Sequence, residues 1–169
     1  MNALAAFAAC HAVGVEVSSI VPSLVDFVSV KRRMEVIGTA HGITVYDDFA
    51  HHPTAIQTTL DGLRARVGQS RIIVAMEPRS NSMRLGAHSA QIAPSLYAAD
   101  AVVFLHRPEL LWDADAVVSA LKGEGHKVST VDALIDTLKA IAREGDHIVF
   151  MSNGGFEDAP RRCLKALQS

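Results

Sequence analysis

The sequence predicts an α/β fold: a Rossmann-like, mostly parallel sheet with helices on both faces and an N-terminal β-hairpin. From residue 71 onward, short apolar runs of strand length alternate with segments of helical periodicity. Strands that are apolar along their whole length are typical of parallel sheets, because helices cover both faces of such sheets. Ahead of them, Met34–Thr39 and Ile43–Asp47 flank Ala40-His41-Gly42, and this spacing predicts the hairpin.

Length and composition indicate a globular chain of one domain, or of one domain and part of another. It has 169 residues, of which 49% are hydrophobic. A formal net charge of −2 gives no electrostatic reason to expect nucleic acid or an anionic membrane as partner. No apolar run approaches the length of a membrane span, and Cys10 and Cys163 form no metal-ligand spacing. We therefore expect a cytoplasmic protein without nucleic-acid or membrane partners.

Hydrophobic periodicity places the other elements in order. Helices are expected at residues 2–13, 22–27, 54–67, 87–97, 113–122, 131–143 and 157–167. Further strands are expected at residues 71–76, 101–105, 126–130 and 147–151. The first helix is apolar and has no cap ahead of it, so we interpret residues 1–29 as the remnant of a preceding domain and 30–169 as the domain itself. The alternative is a complete helical pair that packs on the sheet.

The junction between the second hairpin strand and the next helix is unusually polar. It contains Asp47, Asp48, His51 and His52, and Pro53 suits the first turn of the helix that follows. Ligands of open α/β sheets bind where strands end and helices begin. Neighbouring strand residues point to opposite faces, so the four side chains could hardly converge on one metal ion. The alternative without function is that Asp48 caps the helix and the histidines are solvated.

Three other loops follow strands and should meet this junction at one edge of the sheet. They comprise residues 77–86, 106–112 and 152–156. Arg79 and Arg84 in the first loop can each bind a carboxylate bidentately. The last loop can expose backbone N–H groups to an anion at a helix start. Each loop can also be an ordinary turn, and the chain lacks the G-x-x-x-x-G-K-[ST], G-x-G-x-x-G, H-E-x-x-H and G-x-S-x-G motifs.

Several motifs together resemble the C-terminal domain of the Mur ligases, which build peptidoglycan precursors. They are KRRME at 31–35, YDDFAHHP at 46–53, EPRSNSM at 77–83 and SNGGF at 152–156. The segment NALAA at 2–6 resembles a late helix of the family's central ATPase domain. The resemblance covers essentially the whole chain. It departs from the family at residues 157–160, where EDAP replaces a Gly-rich continuation.

The resemblance implies an ATP-dependent ligase of peptidoglycan recycling, which joins UDP-N-acetylmuramate to the murein tripeptide L-Ala-γ-D-Glu-meso-diaminopimelate through an acyl phosphate. ATP and Mg²⁺ would be held mainly by a central domain outside this chain, so the chain alone should be inactive and should hold no metal. Residues implied at the nucleotide are Asn2, Arg33, Asp48 and His51, the last two being catalytic. Residues implied at the tripeptide are His52, Arg79, Ser80, Asn81, Arg84, Asn153 and Gly154.

Two other functions remain open from the sequence. One is the C-terminal domain of a UDP-N-acetylmuramate–L-alanine ligase, and the other is a non-catalytic Rossmann-like domain that binds a ligand with the same loops. If Asp48 acts in catalysis, its replacement by alanine should slow turnover and leave the melting temperature nearly unchanged. If Asp48 is structural, stability should fall instead.

Overall fold

The computed structural model describes residues 2–25, 27 and 30–169, apart from the side chains of Asn2 and Ser82. The chain divides into two compact units, Met1–Val30 and Lys31–Ser169. The first unit contains helices α1 (Asn2–Ala12) and α2 (Val17–Val25). Helix α2 begins five residues before the expected start, because Pro22 lies inside the helix instead of opening it. Within the described residues, no helix is both long enough and apolar enough to cross a membrane.

The second unit is built on a six-stranded sheet with the strand order β1-β2-β6-β3-β4-β5. The strands are β1 (Glu35–Ala40), β2 (Ile43–Asp48), β3 (Ile72–Met76), β4 (Ala101–Leu105), β5 (Glu124–Val128) and β6 (His147–Met151). Strands β1 and β2 pair antiparallel, and the other pairings are parallel. His41 and Gly42 at the hairpin turn both have positive φ, as a two-residue turn of type I′ requires. The predicted sheet and hairpin are therefore confirmed.

Helices cover both faces of this sheet. They are α3 (Pro53–Val67), α4 (Asn81–Arg84), α5 (Ser89–Ser95), α6 (Ala114–Ser119), α7 (Val131–Ile141) and α8 (Ala159–Gln168), with a 3₁₀ turn at Phe156–Asp158. Helices α3, α5 and α6 contribute Ile56, Ile92 and Val117 to the core on one face. Helices α7 and α8 contribute Leu134 and Cys163 to the core on the other face.

Strand β5 and helix α4 also differ from the prediction, because their hydrophobic signal is weak. Strand β5 is an edge strand with no buried residue, and it begins at Glu124, two residues earlier than expected. The loop after β3 contains the short helix α4, whose first turn is capped when Ser80 accepts a hydrogen bond from the Met83 N–H. Capping by serine is a local effect that an apolar periodicity does not report.

Strands β3 and β6 are neighbours whose continuations pass to opposite faces of the sheet. The chain after β3 leads to α5, which packs in the core with α3. The chain after β6 leads to α8, which packs in the other core with α7. A crevice therefore opens between the carboxyl ends of β3 and β6. In open α/β sheets this switch point is the usual position of a ligand.

Candidate functional site

A cleft of about 420 Å³ lies at this edge of the sheet. Its lining residues are Glu77, Pro78, Arg79, Arg84, Arg107, Glu109, Leu110 and Glu157. They come from the segments that follow β3, β4 and β6, three adjacent strands of the sheet. The segments after β3, β4 and β6 therefore meet at one edge of the sheet, as expected, whereas residues 47–53 do not line this cleft. Guanidinium and carboxylate groups dominate the lining, which suits a ligand that carries charges of its own.

A buried carboxylate, that of Glu77, joins the three loops. Glu77 is only 3% exposed, so its charge needs partners inside the protein. Its Oε2 accepts a hydrogen bond from Ser152 Oγ at 2.7 Å, and its Oε1 accepts one from Arg107 Nε at 3.2 Å. Arg107 also donates to Glu157 Oε1 at 2.5 Å. This hydrogen bond is the main cause that raises the pKa of Arg107 above its ordinary value.

Ser152 is fully buried and uses all its polar groups in hydrogen bonds. Its N–H donates to the Asp48 carbonyl at 3.2 Å, and its carbonyl accepts from Arg32 Nη2 at 2.6 Å. Its Oγ donates to Glu77 and accepts from the Gly154 N–H at 3.0 Å. The Gly154 N–H is therefore engaged within the chain. The expectation that this loop exposes backbone N–H groups to an anion therefore does not hold for Gly154 and stays a prediction for the other residues of the loop.

Arg79 projects from the loop after β3 and lies against Gly154 in the loop after β6. A Cβ built on Gly154 would lie 2.5 Å from Arg79 Nη1, so the guanidinium occupies the space that a side chain would need. Arg79 and Arg84 are exposed, and neither forms an ion pair with any acidic group in the described part of the chain. Their charges are available to a ligand that carries carboxylates.

The other residues predicted at the tripeptide have different positions. Ser80 caps α4, and Asn81 is the exposed first residue of that helix. Asn153 Oδ1 is buried and has no hydrogen-bond partner among the described residues, so it lacks a donor that a ligand could supply. His52 caps α3 by accepting from the Thr54 N–H at 3.3 Å, and its ring lies 4.6 Å from that of His88.

Asp48, predicted at the nucleotide, is buried at the end of β2. Its Oδ2 accepts from the Met34 N–H at 2.7 Å and its Oδ1 from the Ala50 N–H at 2.8 Å. The alternative that Asp48 caps the next helix is wrong, because His52 performs that role. Asp48 instead holds two backbone segments together, the one that enters β1 and the one that leaves β2.

Arg33 and His51 both lie close to the Phe49 ring. The Arg33 guanidinium is 5.3 Å from the ring centroid, and the His51 ring packs edge-on at 5.5 Å. His51 Nδ1 lies 3.0 Å from the Phe49 carbonyl oxygen. A carbonyl only accepts, so Nδ1 carries the proton and Nε2 is left for other contacts. Neither Arg33 nor His51 lines the cleft, so the predicted residues form two separate groups along this edge.

Arg32 and Asp47 complete this second group. Arg32 Nε donates to Asp47 Oδ2 at 3.1 Å. Burial raises the pKa of Asp47, and the positive charge of Arg32 offsets only part of that effect. No group of three or more His, Cys, Asp or Glu side chains within the described residues is arranged to hold a metal ion. The side chain of Asn2, the remaining predicted residue, lies outside the described part of the chain.

Glu77, Arg107 and Ser152 were not among the predicted site residues. One signal for Glu77 was present, since a charged residue directly follows the fully apolar strand β3. Arg107 and Ser152 also follow strand ends, but their partners depend on the strand order. The departure from the family motif at Glu157 does not remove that residue from the site, because Glu157 lines the cleft.

The fold is a six-stranded, mostly parallel α/β sheet with a charged cleft at its switch point, and domains of this class bind ligands in that crevice. The family model of the Mur ligase, glutamate ligase domain, matches residues 32–154, and the chain therefore belongs to this family. It is 44% identical over 168 residues to the UDP-N-acetylmuramate–L-alanyl-γ-D-glutamyl-meso-2,6-diaminoheptandioate ligase of Haemophilus influenzae, which covers 99% of this chain and 37% of that relative. The resemblance inferred from the motifs is confirmed.

Two further comparisons agree with this assignment. A murein peptide ligase from Psychrobacter arcticus 273-4 has a crystal structure that matches with a TM-score of 0.77 and 41% identity, over 99% of this chain and 36% of that one. The UDP-N-acetylmuramate–L-alanine ligase of Streptomyces coelicolor is 34% identical over 177 residues, which cover 98% of this chain and 38% of that relative. The chain thus spans little more than a third of the length of the curated relatives it matches.

Proposed function

We propose that this chain is the amine-substrate-binding domain of an ATP-dependent ligase that joins UDP-N-acetylmuramate to L-Ala-γ-D-Glu-meso-diaminopimelate. The observation that carries the proposal is the pair of exposed arginines, Arg79 and Arg84, that line the cleft without an acidic partner in the described part of the chain. A tripeptide with three carboxylates needs such fixed guanidiniums. The name of the Haemophilus influenzae relative contains the same peptide.

In the proposed reaction ATP phosphorylates the muramate carboxylate, and the tripeptide amine displaces phosphate to form an amide. The residues of this chain bind and orient the amine substrate. Arg79 and Arg84 pair with its carboxylates, and the buried Asn153 Oδ1 accepts an N–H from it. Holding the amine at a fixed position raises its effective concentration at the acyl phosphate, and this is a large part of the catalysis such a domain can supply.

The nucleotide would meet the group around Phe49. Arg33 is exposed and His51 has Nε2 free of the Phe49 contact, so both can approach phosphate or ribose oxygens. Asp48 differs, because both of its oxygens already accept backbone N–H groups. We therefore assign Asp48 the task of fixing the backbone that carries Arg33 and His51. Mg²⁺ would be held mainly outside this chain, together with the ATP phosphates.

The same proposal includes a domain boundary. Residues 1–29 would be the end of the central ATPase domain, with Asn2 on the adenine side, and residues 30–169 would form the substrate domain. The division of the chain into Met1–Val30 and Lys31–Ser169 supports a boundary at this position. A cytoplasmic location is proposed with it, since UDP-N-acetylmuramate and ATP are cytoplasmic substrates.

L-alanine as the amine substrate is less well supported. L-alanine carries one carboxylate, whereas two arginines without an acidic partner among the described residues line a cleft of about 420 Å³. The sequence identity to the tripeptide ligase of Haemophilus influenzae is 44%, whereas the identity to the L-alanine ligase of Streptomyces coelicolor is 34%. Both observations favour a substrate larger than a single amino acid.

The test is ADP formation by the complete ligase that contains this chain, with ATP, Mg²⁺ and UDP-N-acetylmuramate supplied. Tripeptide, meso-diaminopimelate and L-alanine are added one at a time. We expect rapid ADP release with tripeptide only. Equal rates with L-alanine would reject the tripeptide assignment, and tripeptide binding without ADP release would favour the non-catalytic alternative.

A further inference from the structure

We propose that Ser152 and Glu77 form a positioning pair that fixes the Gly154 amide and so keeps Arg79 in the cleft. The pair lies between the loops after β3 and β6, at the switch point of the sheet. Its effect on turnover rests on the proposed function, whereas its effect on Gly154 does not. Neither residue is assumed to touch a ligand.

The contacts form a continuous path from a buried charge to the cleft. Glu77 Oε2 accepts a hydrogen bond from Ser152 Oγ, which leaves the oxygen lone pairs of Ser152 for the Gly154 N–H. A hydroxyl whose proton is engaged by a carboxylate is the better acceptor, because hydrogen bonds in a chain polarise one another. The orientation of the Gly154 peptide therefore depends on Glu77.

Gly154 in turn limits where Arg79 can lie. The Arg79 Cδ and Nη1 atoms both occupy the position where a Cβ on Gly154 would point, so the side chain packs directly on the glycine backbone. If the Gly154 peptide rotates, this surface changes and the guanidinium loses its place. A shift of about 1 Å in a positioning group is enough to weaken a bidentate carboxylate contact severely.

Arg107 holds the other end of the path. It donates to Glu77 Oε1, and this contact leaves Oε2 directed at Ser152. The arrangement also connects β4 with β3 and β6, since Arg107 follows β4. Hydrogen bonds thus link Arg107, Glu77, Ser152 and Gly154. We therefore expect loss of the Ser152 hydroxyl to change the position of Arg79.

Ser152→Ala isolates this role. Alanine keeps the backbone hydrogen bonds of residue 152 to Asp48 and Arg32 and removes only the hydroxyl. Ser95→Ala is the matched control, because Ser95 is 4% exposed and its Oγ makes one hydrogen bond, to the Ile92 carbonyl within α5. Glu77→Gln is the conservative variant, since its amide oxygen can still accept a hydrogen bond from Ser152 Oγ while its NH₂ group replaces the oxygen that faces Arg107.

The first measurement uses the 169-residue chain and needs no activity. In Ser152→Ala we expect the Gly154 amide proton to exchange with solvent about tenfold faster than in Ser95→Ala or the wild type. Glu77→Gln should preserve most of the protection, and Glu77→Ala should lose it. An unchanged Gly154 amide in Ser152→Ala would overturn the proposal whether or not the proposed function holds.

The second measurement is steady-state kinetics of the complete ligase. Ser152→Ala should raise KM for tripeptide about tenfold with kcat within about threefold, which corresponds to the loss of one oriented contact. KM for ATP and for UDP-N-acetylmuramate should not change, and Ser95→Ala should match the wild type. Equal tripeptide KM values in Ser152→Ala and Ser95→Ala would overturn the proposal. A wild-type ligase without tripeptide-dependent turnover would reject the proposed function instead.

Discussion

Gly154 lies directly under the side chain of Arg79, and the two residues join neighbouring strands at their carboxyl ends. A Cβ at Gly154 would lie 2.5 Å from Arg79 Cδ and 2.5 Å from Nη1. Gly154 is not among the glycines with positive φ, so its backbone conformation does not demand glycine. The requirement at this position is therefore space for an arginine.

Gly154→Ala should accordingly weaken tripeptide binding without unfolding the protein. The new methyl group meets the flexible end of Arg79, which can swing away at little cost to stability. We expect KM for tripeptide in the complete ligase to rise about tenfold. Gly155→Ala is the matched control, since a Cβ there meets nothing within 4 Å and φ is −73°. If both variants give the same KM, Arg79 does not need the space over Gly154.

Arg79 itself should control the use of tripeptide. A bidentate guanidinium–carboxylate pair that is partly shielded from water contributes about 1.5–3 kcal/mol, so Arg79→Ala should lower kcat/KM for tripeptide by roughly one to two orders of magnitude. Arg79→Lys keeps the positive charge but cannot bind a carboxylate bidentately, so it should recover only part of the loss. KM for ATP should not change.

The control for Arg79 is Arg161→Ala. Arg161 is also exposed, but it lies on α8 near Asp158, with 3.6 Å between Arg161 Nε and Asp158 Oδ1. Its kinetics should match those of the wild type. If KM and kcat/KM for tripeptide in Arg79→Ala lie within about twofold of those in Arg161→Ala, the loop after β3 does not bind the tripeptide carboxylates.

The fold could be predicted where the hydrophobic signal is continuous. Strands β4 and β6 begin and end where their apolar runs predict, because almost every residue in them is buried. Strand β5 was displaced by two residues because an edge strand with half-exposed residues has no such run. The predicted start of helix α2 is too late, because proline favours the first turn of a helix whereas Pro22 lies within this one.

The site could be predicted only in part, for a reason of topology. Loops after parallel strands share one edge, and this rule placed Arg79 and Gly154 together. Which loops are adjacent depends on strand order, and β6 inserts between β2 and β3 although it is last in sequence. The hydrogen bonds of Glu77 to Ser152 and Arg107 follow from that insertion, so a single sequence does not reveal them.

The 169-residue chain alone should form no ADP. It contains no G-x-x-x-x-G-K-[ST] loop, so it lacks the backbone cradle and lysine that hold ATP phosphates in nucleotide-binding loops of that type. The measurement is ADP release with ATP, Mg²⁺, UDP-N-acetylmuramate and tripeptide, with the complete ligase as positive control. Turnover by the pure chain would contradict the proposal that the ATP phosphates and Mg²⁺ are held mainly outside this chain.

Protonation of His147 should destabilise the domain in mildly acidic solution. Burial lowers the pKa of His147 below 6.5, and Arg66 and Arg64 lower it further while Asp146 opposes them. The unfolded state then binds the proton more tightly than the folded state, so this contribution to stability is present above pH 6.5 and is lost as pH falls through the folded pKa. Tyr46 Oη lies 3.0 Å from His147 Nδ1 and shares this environment.

The check on His147 is urea unfolding of the wild type and of His147→Gln at about pH 7.5 and about pH 5.5. Glutamine does not titrate, so the urea midpoint of the variant should fall less between the two pH values than that of the wild type. If the urea midpoints of both proteins fall by the same amount, the acid sensitivity comes from carboxylates and not from His147.

Asp48 should prove to be a stability residue as well as a functional one. It is 3% exposed, and its carboxylate accepts the Met34 N–H at 2.7 Å and the Ala50 N–H at 2.8 Å. Alanine would leave the buried Ala50 N–H and the part-buried Met34 N–H without a partner, at a cost of about 2–4 kcal/mol in the free energy of unfolding. An unchanged melting temperature, the result expected of a purely catalytic Asp48, does not agree with these contacts.

Asp48→Asn separates geometry from charge in this pair of contacts. The amide oxygen can replace one carboxylate oxygen, but its NH₂ group then faces a backbone N–H, so an intermediate loss of about 1–3 kcal/mol is expected. Asp61→Ala, at an exposed position on α3, should change stability by less than about 0.5 kcal/mol. Urea unfolding of the three variants provides the measurement. If Asp48→Ala unfolds like Asp61→Ala, water reaches the Met34 and Ala50 amides, and Asp48 does not hold the backbone that carries Arg33 and His51.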